Sequence, residues 1–192
     1  SDRPERKTPG IYAERWLNKA GLKIQVLLLD TRYFRSALTV DPPDGRCPVR
    51  NYGTSLADEA TILGRAQWQW LKERLREPAD VRVMASSVQV ISDEHCWERW
   101  GVFPKERARL FRMIARSGAR NVFLVSGDRH LGEISKLPGD GDFGLDYPLY
   151  DITSSPLSAR SGFGKGEVNG YRVGHDNVRV SNFGVIEIDT VK

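Results

Sequence analysis

Three short apolar runs, separated by two stretches with helical spacing, constrain this chain more than any other feature. KIQVLLLD (23–30), VRVMASSVQV (81–90) and NVFLVSGD (121–128) are rich in large apolar and β-branched residues and too short for helices, which makes them buried strands. Between the first two, DEATILGRAQWQWLKERLRE (58–77) predicts a helix with Ile62, Leu63, Ala66, Trp70, Leu71 and Leu75 on one stripe and Asp58 and Glu59 near the positive end of its dipole. Between the second and third, PKERARLFRMIARSG (104–118) carries Pro104 in its first turn and Gly118 at its end, the usual boundaries of a helix. Alternating strands and helices build βαβ units, so the chain is expected to be α/β with a largely parallel sheet.

IYAERWLNKA (11–20) reads as a further helix that stops at Gly21. Beyond His130 the rhythm changes. LGEISKL, the GDGDFGLD turn and YPLYDITSS read as a hairpin, and VRVSNFGVIEID adds short strands, so the C-terminal third is expected to be antiparallel and the whole sheet mixed. The Pro-, Gly-, Asp- and Ser-rich segment from about 36 to 57 is longer than most loops of compact domains, a length met more often in functional loops. With 192 residues, 40% of them hydrophobic, and no repeat or linker, residues 1–192 are expected to form one domain.

Composition removes several function classes. No apolar run is long enough to span a bilayer, and the first ten residues, SDRPERKTPG, are unlike an apolar signal segment. The net charge of +4 is spread over interspersed acids and bases, which argues for mild attraction to anions and against a nucleic-acid-specific surface. Cys47 and Cys96 fit neither a disulfide framework nor a zinc cluster, but can pair if the fold brings them together.

Open parallel sheets collect ligands at the carboxyl ends of their strands. Those ends carry Asp30-Thr31-Arg32, Ser86-Ser87 and Gly127-Asp128-Arg129-His130. Carboxylates, hydroxyls, an imidazole and guanidinium groups together suit a metal and a phosphate better than a serine triad. Each has a plainer reading. Asp30 and Arg32 can cap a strand and pair, Ser86 and Ser87 can form a turn, either arginine can make a surface salt bridge, and His130 can be a hydrogen-bonded histidine. The 92–103 segment, with His95, Cys96, Trp97 and Trp100, is either a pocket wall with loop 36–57 or a packed aromatic cover.

LLLDTRYFR, ILGRAQWQWLKERL, VRVMASSVQV, WGVFPKERARLF, NVFLVSGDRHLGEIS, YPLYDITSSPL and NFGVIEID, in this order, resemble the alkaline phosphatase D (PhoD-like) family within the calcineurin-like metallophosphoesterase superfamily. The resemblance runs from about residue 11 to the end. It implies half of a metallophosphoesterase-type β-sandwich flanked by helices, and metal-assisted hydrolysis of phosphate mono- or diesters by a phosphatase or phosphodiesterase. Gly127-Asp128-Arg129-His130 is similar to the superfamily's last metal motif, G-H-x-H, with aspartate for the first histidine, and Ser86-Ser87 stands where an earlier metal histidine follows the Q-x-x-W-L helix. Oxygen donors suit a hard cation and an imidazole can hold iron, in agreement with the binuclear iron and calcium site of the family. The resemblance thus implies metal ligation by Asp128 and His130, catalytic roles for Asp128, His130 and Arg129, and substrate contacts from Arg32, Ser86 and Ser87.

The superfamily's N-terminal metal motifs, D-x-H, G-D-x-x-D and G-N-H-[DE], do not occur upstream of residue 30, and the chain looks like the C-terminal portion of the catalytic domain. GDGD (139–142) reads as a plain turn. Three roles compete: part of an active hydrolase completed by a missing N-terminal half, a catalytically silent fold that dimerises, or an anion- or carbohydrate-binding module using SGFGKGEVNGYRVGH (161–175). An uncovered sheet is further expected to expose tryptophans 68, 70, 97 and 100. Family members are commonly exported, which implies a periplasmic or secreted protein.

Overall fold

The computed structural model describes residues 8–139, 141–159 and 166–188. Six strands form one sheet: β1 (Ala13–Lys19), β2 (Leu22–Leu28), β3 (Val81–Ala85), β4 (Val122–Ser126), β5 (Gly132–Leu137) and β6 (Leu149–Ser154), in spatial order β1-β2-β3-β4-β6-β5. β2, β3, β4 and β6 run parallel, while β1 and β5 lie antiparallel on the two edges. The fold is therefore α/β with a mixed sheet, as the alternation of runs predicts.

Residues 11–20 depart from the helix expected there. β1 carries Glu14, bonded to Gln25 (2.7 Å), and Trp16, lying under the Lys23 ammonium (4.3 Å), on one face. Ala20 and Gly21, both with positive φ (51° and 80°), make the two-residue turn that brings Lys19 opposite Leu22. Gly21 thus closes a hairpin, and pairing with β2 outweighs the local helix preference.

The first long helix, α1 (Gly64–Arg74), is shorter than the predicted 58–77. Gly64 has φ +67°, which no helix entering from Asp58 can accommodate, and a Cβ there would lie 2.8 Å from the Phe34 side chain. Asp58 instead pairs with Lys105 (2.5 Å). Gln67, Trp68 and Leu71 are buried on α1, while Ala66 is exposed and Ile62 and Leu63 are buried ahead of the helix. α2 (Pro104–Ser117) matches its prediction, with Gly118 in the left-handed region at φ 71°.

Both helices join one core with Leu27, Met84, Val122 and Leu124 of the sheet. Trp68 and Trp100 meet edge to face, 6.2 Å between centroids, and both are fully buried; of the four tryptophans expected at the surface, Trp70 and Trp97 alone keep partial exposure, so the expected tryptophan-rich surface does not form. Glu106 of α2 ties this core to the chain ahead of α1. Its Oε2 accepts from Trp68 Nε1 (2.7 Å), Thr61 Oγ1 (2.6 Å) and the Ile62 N–H (2.9 Å).

The C-terminal third corrects the sequence reading in two places. β5 and β6 pair antiparallel as expected, but β6 inserts between β4 and β5 and runs parallel to β4. Residues 178–188 form no strand. Val178 makes a single bridge to Gly132 and Arg172 one to Ser135, because these segments meet the β5 edge at points and not along a register. On the sheet face away from the helices, Leu28 and Ile134 are both 43% exposed. No helix among the described residues is long and apolar enough to cross a membrane.

Glu106→Ala leaves three donors without their buried acceptor and is expected to lower unfolding stability by about 3 kcal/mol, measured by urea titration.

Candidate functional site

The parallel pairing of β2, β3 and β4 brings the three expected strand ends side by side. Thr31 Oγ1 lies 2.5 Å from Ser87 Oγ, and the Arg32 guanidinium reaches Asp128 Oδ1 at 3.6 Å, which joins the β2 end to both neighbours.

Asp30 holds backbone in place. Oδ1 accepts the amides of Arg32 and Tyr33 and Oδ2 that of Ile11, each at 2.9 Å. Burial raises its carboxyl, but the three amides outweigh burial and leave its pKa below the ordinary value. Gln67 clamps the same residue, with Oε1 accepting the Asp30 N–H (2.8 Å) and Nε2 donating to the Asp30 carbonyl (2.8 Å).

Of the two serines, Ser86 is a buried turn former that donates to the Val88 carbonyl (2.7 Å) and accepts from Trp100 Nε1 (3.1 Å), whereas Ser87 is exposed at the strand end. Arg32 is half exposed and pairs with Glu98 (2.5 Å), which also holds Arg35. Arg129 is buried, and its Nη2 donates to both oxygens of Glu167 at 2.5 Å, beneath the Trp97 ring (5.8 Å). Its guanidinium is thus held by a carboxylate and not open as a phosphate clamp. Glu167 comes from the glycine-rich 161–175 segment; Lys165 and the rest of 160–165 lie outside the described residues, as does Asp140 of the GDGD turn.

Asp128 and His130 both adopt positive φ, 68° and 53°, on a turn in which the Arg129 N–H bonds the Gly127 carbonyl (2.9 Å). Non-glycine residues in the left-handed region are uncommon, although Asp and His enter it more readily than most, and Ala20 and Asn121 also do so in this chain. Asp128 is exposed and His130 partly buried. Among the described residues no three His, Cys, Asp or Glu side chains cluster as a metal site. The turn offers one oxygen and one nitrogen donor, which suit a hard or borderline cation but fall short of a full set.

Arg32, Asp128 and Arg129 line a cleft of about 370 Å³ with Arg50, Tyr52, Trp97 and Glu98. Cys47 and Cys96 do pair, with Cα atoms 5.5 Å apart, and fasten loop 36–57 to the 92–103 segment. Of the segment's aromatic residues, Trp97 is cleft wall and Trp100 core. Sequence reading missed Glu98, Arg50 and Glu167, since only the folded chain brings these charges near Arg32 and Arg129.

Behind the wall sits His95, 2% exposed. Its Nδ1 accepts the Trp97 N–H (3.2 Å), which leaves the neutral ring's proton on Nε2, a buried atom with no partner among the described residues. Burial, then the charges of Arg129, Arg99 and Arg46, hold its pKa well below the usual histidine value. The folded chain therefore resists a proton that the unfolded chain accepts below the ordinary value of 6.5. Stability is expected to be intact above pH 6.5 and to fall, by up to about 1.4 kcal/mol per pH unit, as pH drops toward the lower folded pKa. Urea titrations between pH 7.5 and 5 on wild type and His95→Asn check this; the variant should show the shallower pH dependence.

No curated protein matches the sequence. The chain is similar in fold to a solved structure of PhoD, with a TM-score of 0.57 and 20% identity over 79% of this chain and 30% of that one. It therefore spans under a third of that protein's length. A family profile described as PhoD-like phosphatase matches residues 11–189, nearly the whole sequence, and the chain belongs to the PhoD-like phosphatase family.

Proposed function

We propose that this chain is the portion of a metal-dependent phosphoric ester hydrolase that carries the Asp128-Arg129-His130 turn, and that it acts on phosphate mono- or diesters. The observation that carries the reading is the pair of positive-φ donors, Asp128 and His130, at the end of β4 with the Arg32 guanidinium 3.6 Å from Asp128. The family supports phosphatase chemistry.

Asp128 would offer an oxygen donor to calcium and His130 a nitrogen donor to iron, with the remaining ligands supplied from outside the described residues. A metal centre held there would supply positive charge and Lewis acidity for hydrolysis of the ester. Arg32 sits where a guanidinium can bind phosphate oxygens, and Glu98 fixes its direction. Ser87, exposed beside Thr31, is the serine open to substrate. Arg129 acts by holding the 167 segment against the cleft.

The half-exposed sheet face favours an association that covers it, with the rest of a PhoD-like domain first and a second copy of this chain as the alternative. A stable dimer by light scattering supports the alternative. The Cys47–Cys96 bond supports a periplasmic or secreted location, where disulfides persist.

Hydrolysis of bis(p-nitrophenyl) phosphate with iron and calcium supplied, compared with a chelated sample, tests the reading on the chain alone and after addition of a complementary N-terminal portion. Chelator-sensitive turnover in either sample is expected. His130→Ala should reduce turnover to background and weaken metal binding by calorimetry; unchanged turnover would remove His130 from the site. Arg32→Ala should lower kcat/KM by about 100-fold with metal binding unaltered.

A further inference from the structure

The cleft has two unlike walls. One is the strand-end wall with Arg32 and Asp128; the other is built from Arg50, Tyr52 and Trp97, to which the proposed reaction assigns no part. This second wall is fastened from several sides. The Cys47–Cys96 bond joins its two segments, the Tyr52 N–H donates to the Cys96 carbonyl (3.0 Å), Tyr52 bridges Val40, and the Trp97 N–H is held by His95. The 88–93 stretch leading to Trp97 is pinned in turn, with Asp151 accepting the amides of Val90 (2.7 Å) and Ile91 (3.1 Å) and Arg107 donating to the Val90 carbonyl (2.7 Å) and pairing with Asp93 (3.0 Å).

The two rings are polarised as well as fixed. Arg50 donates to the Tyr52 hydroxyl (2.9 Å) with its guanidinium 5.4 Å from the Tyr52 ring centre, and Arg129 lies 5.8 Å from that of Trp97. Arg50 is exposed and pairs with no carboxylate among the described residues. Both rings are partly buried, Tyr52 packing against the core on one side; rings held rigid and backed by cations are good stacking surfaces, because little entropy is lost when a flat group lies on them.

We infer that Tyr52 and Trp97, with Arg50, form a specificity subsite that stacks on a planar aromatic group in the alcohol portion of the substrate, so that aryl or nucleoside-type phosphate esters are preferred over alkyl ones. This rests on the phosphate-ester reading above and names the substrate class for the same cleft. The disulfide acts on it as a positioning element.

Nuclear magnetic resonance titrations of the ¹⁵N-labelled, oxidised 192-residue chain with phenylphosphonate and with methylphosphonate test it without turnover, with Trp97→Phe used to assign the Trp97 indole signal. Phenylphosphonate is expected to bind about tenfold more tightly and to shift that signal, an advantage that one stacked ring supplies. The advantage should vanish in Trp97→Ala and in Tyr52→Leu, and shrink in the Cys47→Ser/Cys96→Ser double variant, while methylphosphonate binding stays as it was. Equal affinities overturn the subsite and leave the phosphate reading standing. An aryl advantage that survives both ring variants places the stacking surface elsewhere and also overturns it. Binding of neither phosphonate, with inorganic phosphate also silent, removes the subsite together with anion recognition by the cleft.

Discussion

The double hydrogen bond between the Gln67 amide and the Asp30 backbone is the contact on which the strand ends depend. β2 loses its ladder partners beyond Leu29, where a main chain leaving a sheet inside a protein leaves polar groups unpaired. Gln67 replaces the missing strand for one residue, binding both the N–H and the carbonyl of Asp30 from α1. The helix thereby sets where β2 stops, and the Asp30 carboxylate can then gather the next turn around itself. Arg32 leaves that turn toward Asp128, so its position against the β4 turn follows from a helix glutamine two contacts away.

Much of this was legible in the residues. The three apolar runs, α2 with its Pro104 and Gly118 boundaries, and the convergence of the strand ends, Thr31 on Ser87 and Arg32 on Asp128, follow from patterns that are local in sequence. The errors have physical causes. Residues 11–20 contain good helix formers, yet their alternation serves pairing with β2, a long-range gain that local preference does not register. The start of α1 was read six residues early because Gly64 counts in composition as a weak helix residue, whereas its left-handed backbone makes it a barrier.

Site roles were legible only as residue types. Nothing in spacing separates Ser86, bonded to Trp100, from Ser87 at the surface, or Arg129, held by Glu167, from Arg32, half exposed. Glu98 and Glu167 lie 66 and 38 residues from the arginines they bind. Charges that far apart carry no mutual signal in a single sequence. The cysteines were the opposite case, since their chemistry allowed pairing and only the fold could decide it.

The insertion of β6 between β4 and β5 also bears on the turn that carries Asp128 and His130. β5 precedes β6 in the chain but lies outside it, so β5 is tied to the rest of the sheet through β6. The hairpin of β5 and β6 joins the sheet along β4 through β6 alone. The turn bearing Asp128 and His130 is the link between β4 and that hairpin. Its shape is therefore fixed from both sides, by the strand it leaves and by the hairpin it enters, so the two candidate ligands depend on two pieces of the sheet and not on one strand end.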